Sequence, residues 1–542
     1  MNHGLVLPIV IPLFAAGAIV ALPLRAQRLQ RALSVVATLA LLPVATSLAG
    51  RASTGDILTY VPGAWRAPFG IVLQLDRLGA LMLLLTAVLA CCCLLGTSSA
   101  DVRRGRYFRA LFQFELMGLN GAFLAGDLFN LFVFFELLLI ASYALLLHGG
   151  GVRRVKSGLH YMLLNLVGSS FFLIAIGVLY GLTGTLNMTD IGERLAHLDA
   201  ASLPLAQFAG AMLMLVFGLK AAIFPLSFWL PQAYRSAIGP VAALFAIMTK
   251  VGVYAMLRCD ALVFGAAGGL LEGYMHGWAW WLAIATIVFG ALGALAVSSL
   301  KSTTAYVVLV SVGLLIAAAT LQSAAAWSAL LYYLISTTLC TAALFLLADT
   351  LEPEAHERTA ASEPAARTAL DDTPAIASAP GDETVVAVAN VVAVAAPARA
   401  ATPWPSKAAA LLFFALAVGA AGLPPLSGFL GKAMVLAATP LAQAVVLWPA
   451  VLISGLLLIV ALSRTGTRIF WAMPASQAYA AAPSRAPRGT RAKLAACTLL
   501  LACVVTITLG AGPLKRYLDA TAAQLLDRAA YVHAVLSAPK DE

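Results

Sequence analysis

Long apolar runs, repeated along almost the whole chain, limit most strongly what this sequence can fold into. A membrane-spanning helix needs about 20 mostly apolar residues. Runs of this kind lie near residues 4–24, 32–49, 71–96, 108–126, 128–148, 157–182, 203–230, 236–258, 278–298, 303–321, 327–348, 407–437, 443–463 and 494–512. They are continuous rather than alternating, which disfavours a β-barrel. The sequence therefore predicts an all-α, polytopic membrane protein with about fourteen transmembrane helices.

The composition excludes several classes of protein. Only 11% of the 542 residues are charged and 61% are hydrophobic, whereas about 25% of an average soluble domain is charged. A soluble fold of this size would need more charge to cover its surface, which excludes a soluble enzyme, a nucleic-acid-binding protein and a disordered chain. The net charge of +10 does not indicate nucleic acid, because the basic residues lie in short loops between apolar runs.

The sequence shows no motif for a cofactor or a metal. The seven cysteines include no C-x-x-C pair, the seven histidines are scattered, and no G-x-x-x-x-G-K-[ST] loop is present. Zinc, iron–sulfur and haem sites need ligands at recognisable spacings, and an ATP site of the P-loop kind needs that glycine-rich loop. We therefore predict no cofactor and no metal site.

The distribution of basic residues predicts the orientation in the membrane. Arg25, Arg28 and Arg31 follow the first apolar run, which lacks a basic leader, so we expect an outer N-terminus and no cleaved signal peptide. Alternation from there places both termini outside and the polar linker 352–406 in the cytoplasm. The other cytoplasmic loops then hold Arg103, Arg104, Arg106, Arg109, Arg153, Arg154, Lys156, Arg235, Lys301, Arg464, Arg468, Arg485, Arg488, Arg491 and Lys493, against Arg51, Arg66, Arg194 and Arg258 in outer loops.

The segment after the last apolar run has a different pattern. Apolar residues recur at helical spacing through 515–537. We expect an amphipathic helix there, lying on the outer surface or on a partner. The stripe consists of Leu518, Ala522, Leu525, Leu526, Ala529, Val532 and Leu536.

A short sequence motif that occurs twice in the chain indicates a transport path. "PLSFWLP" begins at Pro225 and "PLSGFLG" begins at Pro425, each inside a long apolar run. A proline inside a spanning helix frees backbone carbonyls. Interrupted helices at matching positions of two inverted halves are a sequence sign of a transporter's binding region.

Four ionisable residues stand deep inside apolar runs: Glu136, Lys220, Lys250 and Lys432. Each would cost several kcal/mol at the bilayer centre unless it faced a partner or water. A structural ion pair is the simpler explanation for one such charge, but one carboxylate cannot pair three ammoniums. Since a nearby carboxylate favours the charged form of a buried lysine, a movable carboxylate would switch lysine protonation. We predict a proton relay, with Lys250 between Lys220 and Lys432.

Several weaker candidates lie near these charges. We expect Asp127 to cap a helix, and the adjacent Asp76 and Arg77 to form a local pair. Glu115 either lines a water path or pairs with a basic loop. The histidines are more simply interfacial residues, and the serines more simply bond a carbonyl of their own helix. The possible path-lining residues are Glu115, His148, His160, Ser311, Ser336 and Thr337.

Several long motifs carry a family resemblance. "GDLFNLFVFFELLLIASYALLLHGG", "YGLTGTLNMTDIG", "GLKAAIFPLSFWLPQAY", "PVAALFAIMTKVGVYA" and "GLPPLSGFLGKAMVLAA" resemble the D-type subunit of the multisubunit cation/proton antiporters, called Mrp, Mnh or Pha. The resemblance covers about residues 20–510 apart from the linker. It carries the family's glutamate to Glu136 and its three lysines to Lys220, Lys250 and Lys432.

The resemblance also implies an architecture and partners. Helices seven and twelve would be broken, and two inverted five-helix repeats would cover 108–258 and 278–463, the second interrupted by 352–406. The remaining parts would be 1–107, with three helices, and 494–542. The family works in the bacterial inner membrane with a large homologous A-type subunit and small B, C, E, F and G type subunits. It exchanges protons for Na+ or K+.

The chain departs from its relatives at three places, and rival functions remain open. Ser227 and Ser336 stand where relatives often carry histidine or, at the first position, another polar or aromatic residue. "SSLKSTTAYVVLV" lacks the "DLKR" form of the complex I relatives. The alternative is a proton-pumping subunit of complex I or a membrane-bound hydrogenase, against which "GTLNMTDIG" favours the antiporter. A scaffold without transport would have no reason to keep the row of buried charges.

Overall fold

The computed structural model describes residues 3–65, 68, 70–265, 271, 273, 276–352, 407–471 and 489–536. These parts are almost entirely helical, which confirms the all-α prediction. The helices are α1 (Leu7–Ala21), α2 (Gln27–Ala52), α3 (Arg77–Gly96), α4 (Ser99–Arg103), α5 (Phe108–Leu124), α6 (Leu128–Leu147), α7 (Val152–Thr183), α8 (Met188–Ala196), α9 (Leu203–Ala221), α10 (Trp229–Ser236), α11 (Gly239–Leu262), α12 (His276–Ala296), α13 (Leu300–Ala319), α14 (Ala324–Leu351), α15 (Lys407–Ala421), α16 (Ser427–Ala437), α17 (Leu441–Phe470), α18 (Thr490–Leu509), α19 (Ala511–Leu526) and α20 (Arg528–Leu536).

Eleven helices in the described residues are long and apolar enough to cross a membrane. Three shorter apolar helices, α1, α15 and α16, accompany them. Every apolar run of the sequence contains at least one helix. The count of fourteen spans and the two inverted repeats stay predictions.

A small antiparallel hairpin joins the helices at one end of the bundle. Strand β1 (Leu58–Tyr60) pairs with β2 (Leu73–Leu75), and Leu73 also bridges to Ala125. Asp127, two residues after Ala125, caps α6: its Oδ1 accepts the N–H of Asn130 at 2.6 Å. The predicted capping by Asp127 is therefore confirmed.

Helices α11, α13 and α14 form the centre of the molecule. Every residue in the most apolar window of α11 and of α14 is buried, compared with 28% for the corresponding window of α18. Glycine allows the close approach: a Cβ on Gly252 of α11 would lie 2.6 Å from the Ala221 nitrogen of α9. The central helices carry Lys250, Ser311 and Ser336, so these polar side chains lie in the protein interior rather than towards lipid.

The expected local pair of Asp76 and Arg77 is wrong. Asp76 caps α3 and faces α11, where Arg258 donates to its two oxygens at 2.6 and 2.9 Å. Tyr531 donates to it as well, at 2.5 Å. Arg77 instead donates to the Ser53 carbonyl at 2.6 Å. Arg258 is therefore a buried residue of α11, not the outer-loop residue that the charge count assigned.

The C-terminal amphipathic segment also differs from its prediction. It forms two helices, α19 and α20, separated at Asp527, rather than one helix over 515–537. Leu518, Ala522 and Leu525 are buried as the stripe predicts, while Ala529 is exposed. The buried face of α19 packs on α14 and α3 of the same chain. The side of the membrane on which the segment lies stays a prediction.

The linker predicted at 352–406 lies outside the described residues except for its first residue. Glu352 pairs with Arg468 at 2.6 Å and accepts the N–H of Leu300 at 2.8 Å. The linker therefore starts from a point fixed at the ends of α13, α14 and α17.

Candidate functional site

The seventh apolar run is a broken helix. Helix α9 ends at Ala221, and α10 begins at Trp229 after a non-helical segment. Ala222 adopts φ 64°, and the N–H of Ile223 returns to the Gly218 carbonyl at 2.8 Å. A helix end leaves carbonyl groups without helical partners. Lys220 therefore stands in the last turn of a helix that stops inside the protein.

Lys220 faces Glu136. The Lys220 Nζ lies 3.9 Å from the Glu136 Oε1, with the lysine side chain 3% and the glutamate side chain 25% exposed. Among the described residues Nζ has no hydrogen-bond partner, and its other near neighbour is the Phe135 ring, 4.8 Å from the centroid. The hydroxyl of Ser169 contacts the same carboxylate oxygen. The two charges attract without a direct hydrogen bond to hold them together.

Lys250 lies on α11 and is completely buried. Its Nζ donates to the hydroxyls of Ser311 at 3.1 Å and Thr249 at 3.4 Å. Because Ser311 gives its own proton to the Val308 carbonyl at 2.7 Å, its oxygen remains an acceptor for the ammonium. Lys250 does not face lipid, and it has hydroxyl partners in place of a carboxylate.

The twelfth apolar run is also broken. Helix α15 ends at Ala421, the chain turns through Gly422 at φ 80°, and α16 begins at Ser427. Lys432 of α16 reaches back across the break, and its Nζ donates to the Ala421 carbonyl at 2.7 Å. This places a cation at the C-terminal end of α15, where the helix dipole is negative. A Cβ on residue 422 would lie 2.6 Å from the Lys432 Cδ, so the glycine makes room for the lysine.

Ser336 joins the eleventh run to the second break. Its Oγ lies 2.7 Å from the Oγ of Ser427, and both residues are fully buried. Thr337, on the same helix, is buried as well. The simpler alternative, a bond to a carbonyl of the same helix, holds for Ser311, whereas the Ser336 hydroxyl faces Ser427 at the start of α16.

Close helix contacts connect the three lysines. Gly252 of α11 approaches Ala221 beside Lys220, and α11 packs on α14. On the other side, a Cβ on Gly431, the neighbour of Lys432, would lie 2.9 Å from the Tyr333 Cα of α14. The helix that carries Lys250 therefore lies between the helices that bring in Lys220 and Lys432.

Glu115 is a buried carboxyl without a visible partner. It is fully buried in α5, and neither oxygen has a hydrogen-bond partner among the described residues. It is not paired with a basic loop, which removes that alternative. A polar face of α7 leads towards Glu136. It consists of Tyr161, Asn165 and Ser169, four residues apart, and the Ser169 hydroxyl contacts the Glu136 carboxylate.

The two histidines differ in their surroundings. His148 is buried, its Nε2 lies 2.9 Å from the Asp101 carbonyl, and its ring packs on Phe108. His160 is exposed on α7, with its ring beside that of Phe228. Neither histidine contacts one of the four relay candidates.

Sequence reasoning missed a buried ion cluster at the ends of α13, α14 and α18. Asp349 accepts from Lys301 at 2.7 Å and from Lys493 at 2.6 Å, and Lys493 also lies 3.4 Å from Asp101. The two lysines were counted as loop charges. The signal was present: Asp349 follows the apolar run 327–348 directly, so it lies at the same membrane edge as both lysines.

A metal centre finds no support in the part of the chain that the structure describes. No group of three or more histidine, cysteine, aspartate or glutamate side chains lies close enough there to hold an ion.

Comparison with known sequences gives two kinds of match. The family model described as "NADH:quinone oxidoreductase/Mrp antiporter, TM" matches residues 125–366. The D-type subunit of a probable K(+)/H(+) antiporter from Rhizobium meliloti is 40% identical, covering 100% of this chain and 98% of the relative. The D-type subunit of an Na(+)/H(+) antiporter from Bacillus subtilis is 32% identical, covering 99% and 100%.

Comparison with solved structures agrees on the fold. A chain of the Mrp complex from Dietzia sp. DQ12-45-1b superposes with a TM-score of 0.80 at 25% identity, over 99% of this chain and 100% of that one. A chain of respiratory complex I from Thermus thermophilus gives a TM-score of 0.70 at 24% identity, over 96% and 99%. The second match shows a shared fold alone.

Proposed function

The chain belongs to the family of D-type subunits of the monovalent cation/proton antiporters, and we propose that it translocates protons within such a complex. It is a transporter subunit rather than an enzyme. The main support for the proposal is the Glu136–Lys220 pair. The Glu136 carboxylate lies 3.9 Å from the Lys220 ammonium, which is buried beside a helix break.

The proposed relay starts at this pair. When the Glu136 carboxylate is close, the charged form of Lys220 is favoured; when it moves away or is protonated, Lys220 releases its proton. Lys250, held on hydroxyls, and Lys432, held on a carbonyl, continue the row. Because like charges in a low-dielectric row disfavour simultaneous protonation, the proton occupancy would alternate along it.

The protons need a connection to the surfaces, and two sets of residues support one. The polar face of α7 leads towards Glu136, and we place the buried carboxyl of Glu115 on the same path. Ser311, Ser336 and Thr337 adjoin Lys250 and the second break. His148 and His160 remain candidates for proton access at the membrane edge. Water held on such hydroxyls would complete the path.

The partners and the cation follow from the family. One relative is named for K+ and the other for Na+, so we propose that the complex exports one of these ions in exchange for protons. The chain would assemble with a large homologous A-type subunit and small B, C, E, F and G type subunits in the bacterial inner membrane. Both termini would face outward and 352–406 the cytoplasm.

The rival assignment, a subunit of complex I or a hydrogenase, is supported by fold alone. The full-length relatives at 32% and 40% identity are named as antiporter subunits. The structural match to complex I, at 24% identity, does not extend to function.

Cation/proton exchange in membrane vesicles tests the proposed function. The chain is co-expressed with the genes of its neighbouring subunits, and dissipation of a pH gradient is measured after adding Na+, K+ or Li+. We expect exchange with Na+ or K+ that disappears when this chain is omitted. Exchange that persists without the chain, or no exchange with any of the three cations, would contradict the assignment.

Cysteine labelling from outside intact cells tests the orientation. A cysteine introduced between residues 353 and 406 should resist an impermeant maleimide until the cells are opened. A cysteine after residue 536 should react at once. The opposite pattern would reverse the proposed topology.

A further inference from the structure

A hydrogen bond to one hydroxyl of α12, that of Thr286, attaches the break beside Lys220 to this helix. The N–H of Phe224 donates to the Thr286 Oγ1 at 2.9 Å, and Thr286 is fully buried. The Thr286 hydroxyl gives its own proton to the Leu282 carbonyl at 2.6 Å. Its orientation is therefore fixed, with the oxygen lone pairs available to the Phe224 amide.

We propose that Thr286 is a positioning residue for proton transfer, holding the first break, and with it Lys220, against α12. This proposal rests on the proposed function of Lys220. Phe224 is the last residue with an N–H before Pro225, and the amide before it, that of Ile223, already returns to Gly218. The amide at 224 takes its acceptor outside α9, and α12 supplies it.

A second contact with α12 fixes the same residue. The ring of Phe224 lies 5.6 Å from that of Phe289, centroid to centroid. Phe289 is three residues after Thr286 and so lies on the same face of α12. Backbone and side chain of residue 224 are thus both held by one helix, which is the arrangement expected of a mechanical attachment.

The second break lacks this attachment for a covalent reason. Aligning Pro225 with Pro425 places Pro424 opposite Phe224, and a proline has no N–H to donate. The hydroxyls show the reverse pattern. Ser427 is paired with Ser336, whereas Ser227 has no partner among the described residues. The two breaks are therefore held by different helices through different groups.

The attachment has a direct route to Lys250. Helix α12 packs along α13, and α13 carries Ser311, the hydroxyl that accepts from Lys250. A shift of α12 against α13 would therefore move the first break relative to the next lysine of the row. Thr286 therefore connects the position of Lys220 to helices α12 and α13, and α13 carries Ser311, the partner of Lys250.

The test compares Thr286→Val, which keeps the shape and removes the acceptor, with Thr286→Ser, which keeps the acceptor. Thr86→Val is the matched control, because Thr86 is buried and its hydroxyl donates within its own helix, to the Met82 carbonyl at 2.7 Å. Two quantities are measured on the assembled complex: cation/proton exchange in vesicles, and amide hydrogen exchange of the peptide covering 222–228.

We expect Thr286→Val to slow cation/proton exchange about three- to tenfold, because it leaves the Phe224 N–H without an acceptor, which costs more than the loss of a hydrogen bond between two side-chain hydroxyls. Hydrogen exchange of 222–228 should rise in the same variant. Thr286→Ser and Thr86→Val should stay within about twofold of the wild type in both measurements. If Thr286→Val fails to assemble, Thr286→Cys, whose sulfur is a weak acceptor, carries the same comparison.

Phe224→Pro provides the converse test, because it removes the donor and copies the second break. In that background Thr286→Val should cause no further loss. If Thr286→Val kept the hydrogen-exchange protection and the cation/proton exchange rate of the wild type, the proposal would be overturned. Faster hydrogen exchange at 222–228 without slower transport would overturn it as well. Lys220→Ala is measured in parallel: normal transport by that variant would refute the proposed function, while the hydrogen exchange still shows whether Thr286 holds the break.

Discussion

The two broken helices share the residues Pro-Leu-Ser at their breaks, but the groups around their lysines differ. At the first break the Lys220 ammonium has a carboxylate 3.9 Å away and no hydrogen bond among the described residues. At the second break the Lys432 ammonium donates to the Ala421 carbonyl at 2.7 Å. A carboxylate gains and loses charge, whereas a carbonyl is a fixed dipole. We therefore expect the charge beside Lys220, the adjustable lysine, to change during transport, whereas the carbonyl dipole beside Lys432 stays fixed.

The surroundings of the breaks reinforce this difference. The first break contains a buried hydroxyl, that of Ser227, without a partner among the described residues. The second has its equivalent, Ser427, locked onto Ser336 of the central helix α14. A segment with unused bonding capacity is easier to rearrange than one whose polar groups are paired. The first break is therefore the better candidate for a local rearrangement, around the point where Thr286 holds residue 224.

The largest effect is expected from removing the adjustable lysine. Lys220→Ala should abolish exchange, a loss of about a hundredfold or more, because no other described ammonium lies beside Glu136. The protein should remain in the membrane, since an alanine removes a buried charge. Vesicle exchange at equal protein amounts measures this. Lys515→Ala, on an exposed pair with Asp519, is the control and should behave as wild type.

The lysine between the breaks should matter next. Lys250→Ala should slow exchange roughly tenfold without preventing assembly, because Ser311 and Thr249 remain as hydroxyls that can hold water. Lys250→Arg should be no better, since a guanidinium does not release its proton. Initial exchange rates in vesicles, normalised to assembled complex, check both variants. An arginine variant that restored the rate would show that position 250 needs only charge.

The turn residues of the two breaks allow a matched comparison. Gly422→Ala should reduce exchange several-fold, because φ 80° strains an alanine and its Cβ would lie 2.6 Å from the Lys432 Cδ. Ala222 stands at the equivalent place of the first break, with φ 64°. Ala222→Gly should therefore be tolerated. Assembly measured on native gels and exchange measured in vesicles would separate misfolding from displacement of the lysine; equal losses in both variants would contradict the comparison.

The smallest effect is expected at the hydroxyl pair of the second break. Ser336→Ala should slow exchange about two- to threefold, since one hydrogen bond inside a membrane protein contributes about 0.6 kcal/mol. Ser427→Ala should give the same loss, and the double variant no more than either, because the two hydroxyls share one bond. Additive losses would show that the serines act separately.

The sequence was sufficient for charges that stand alone in apolar surroundings. Glu136, Lys220, Lys250 and Lys432 were identified because their burial has a cost that needs an explanation. The structure adds what each ammonium contacts, which depends on hydroxyls and carbonyls that carry no distinctive sequence pattern.

Contacts between distant segments could not be predicted. Arg258 pairs with Asp76, 182 positions away in the sequence, and Asp349 forms ion pairs with lysines of two other helices. A charge count by loops assigned such residues to the surface, because only the packing shows that they are buried. Thr286 was missed for a related reason: a threonine in a membrane helix ordinarily bonds its own helix, and the second bond exists only because the break at 224 lies against it.

Exchange by Glu136→Gln tests most directly whether a carboxylate controls Lys220. Glutamine keeps the size of the side chain and removes the charge, so vesicles with this variant should show no exchange, as with Glu136→Ala. Glu136→Asp should retain partial exchange, because the charge survives one methylene further from Lys220. Wild-type exchange by Glu136→Gln, at equal amounts of assembled complex, would contradict the account.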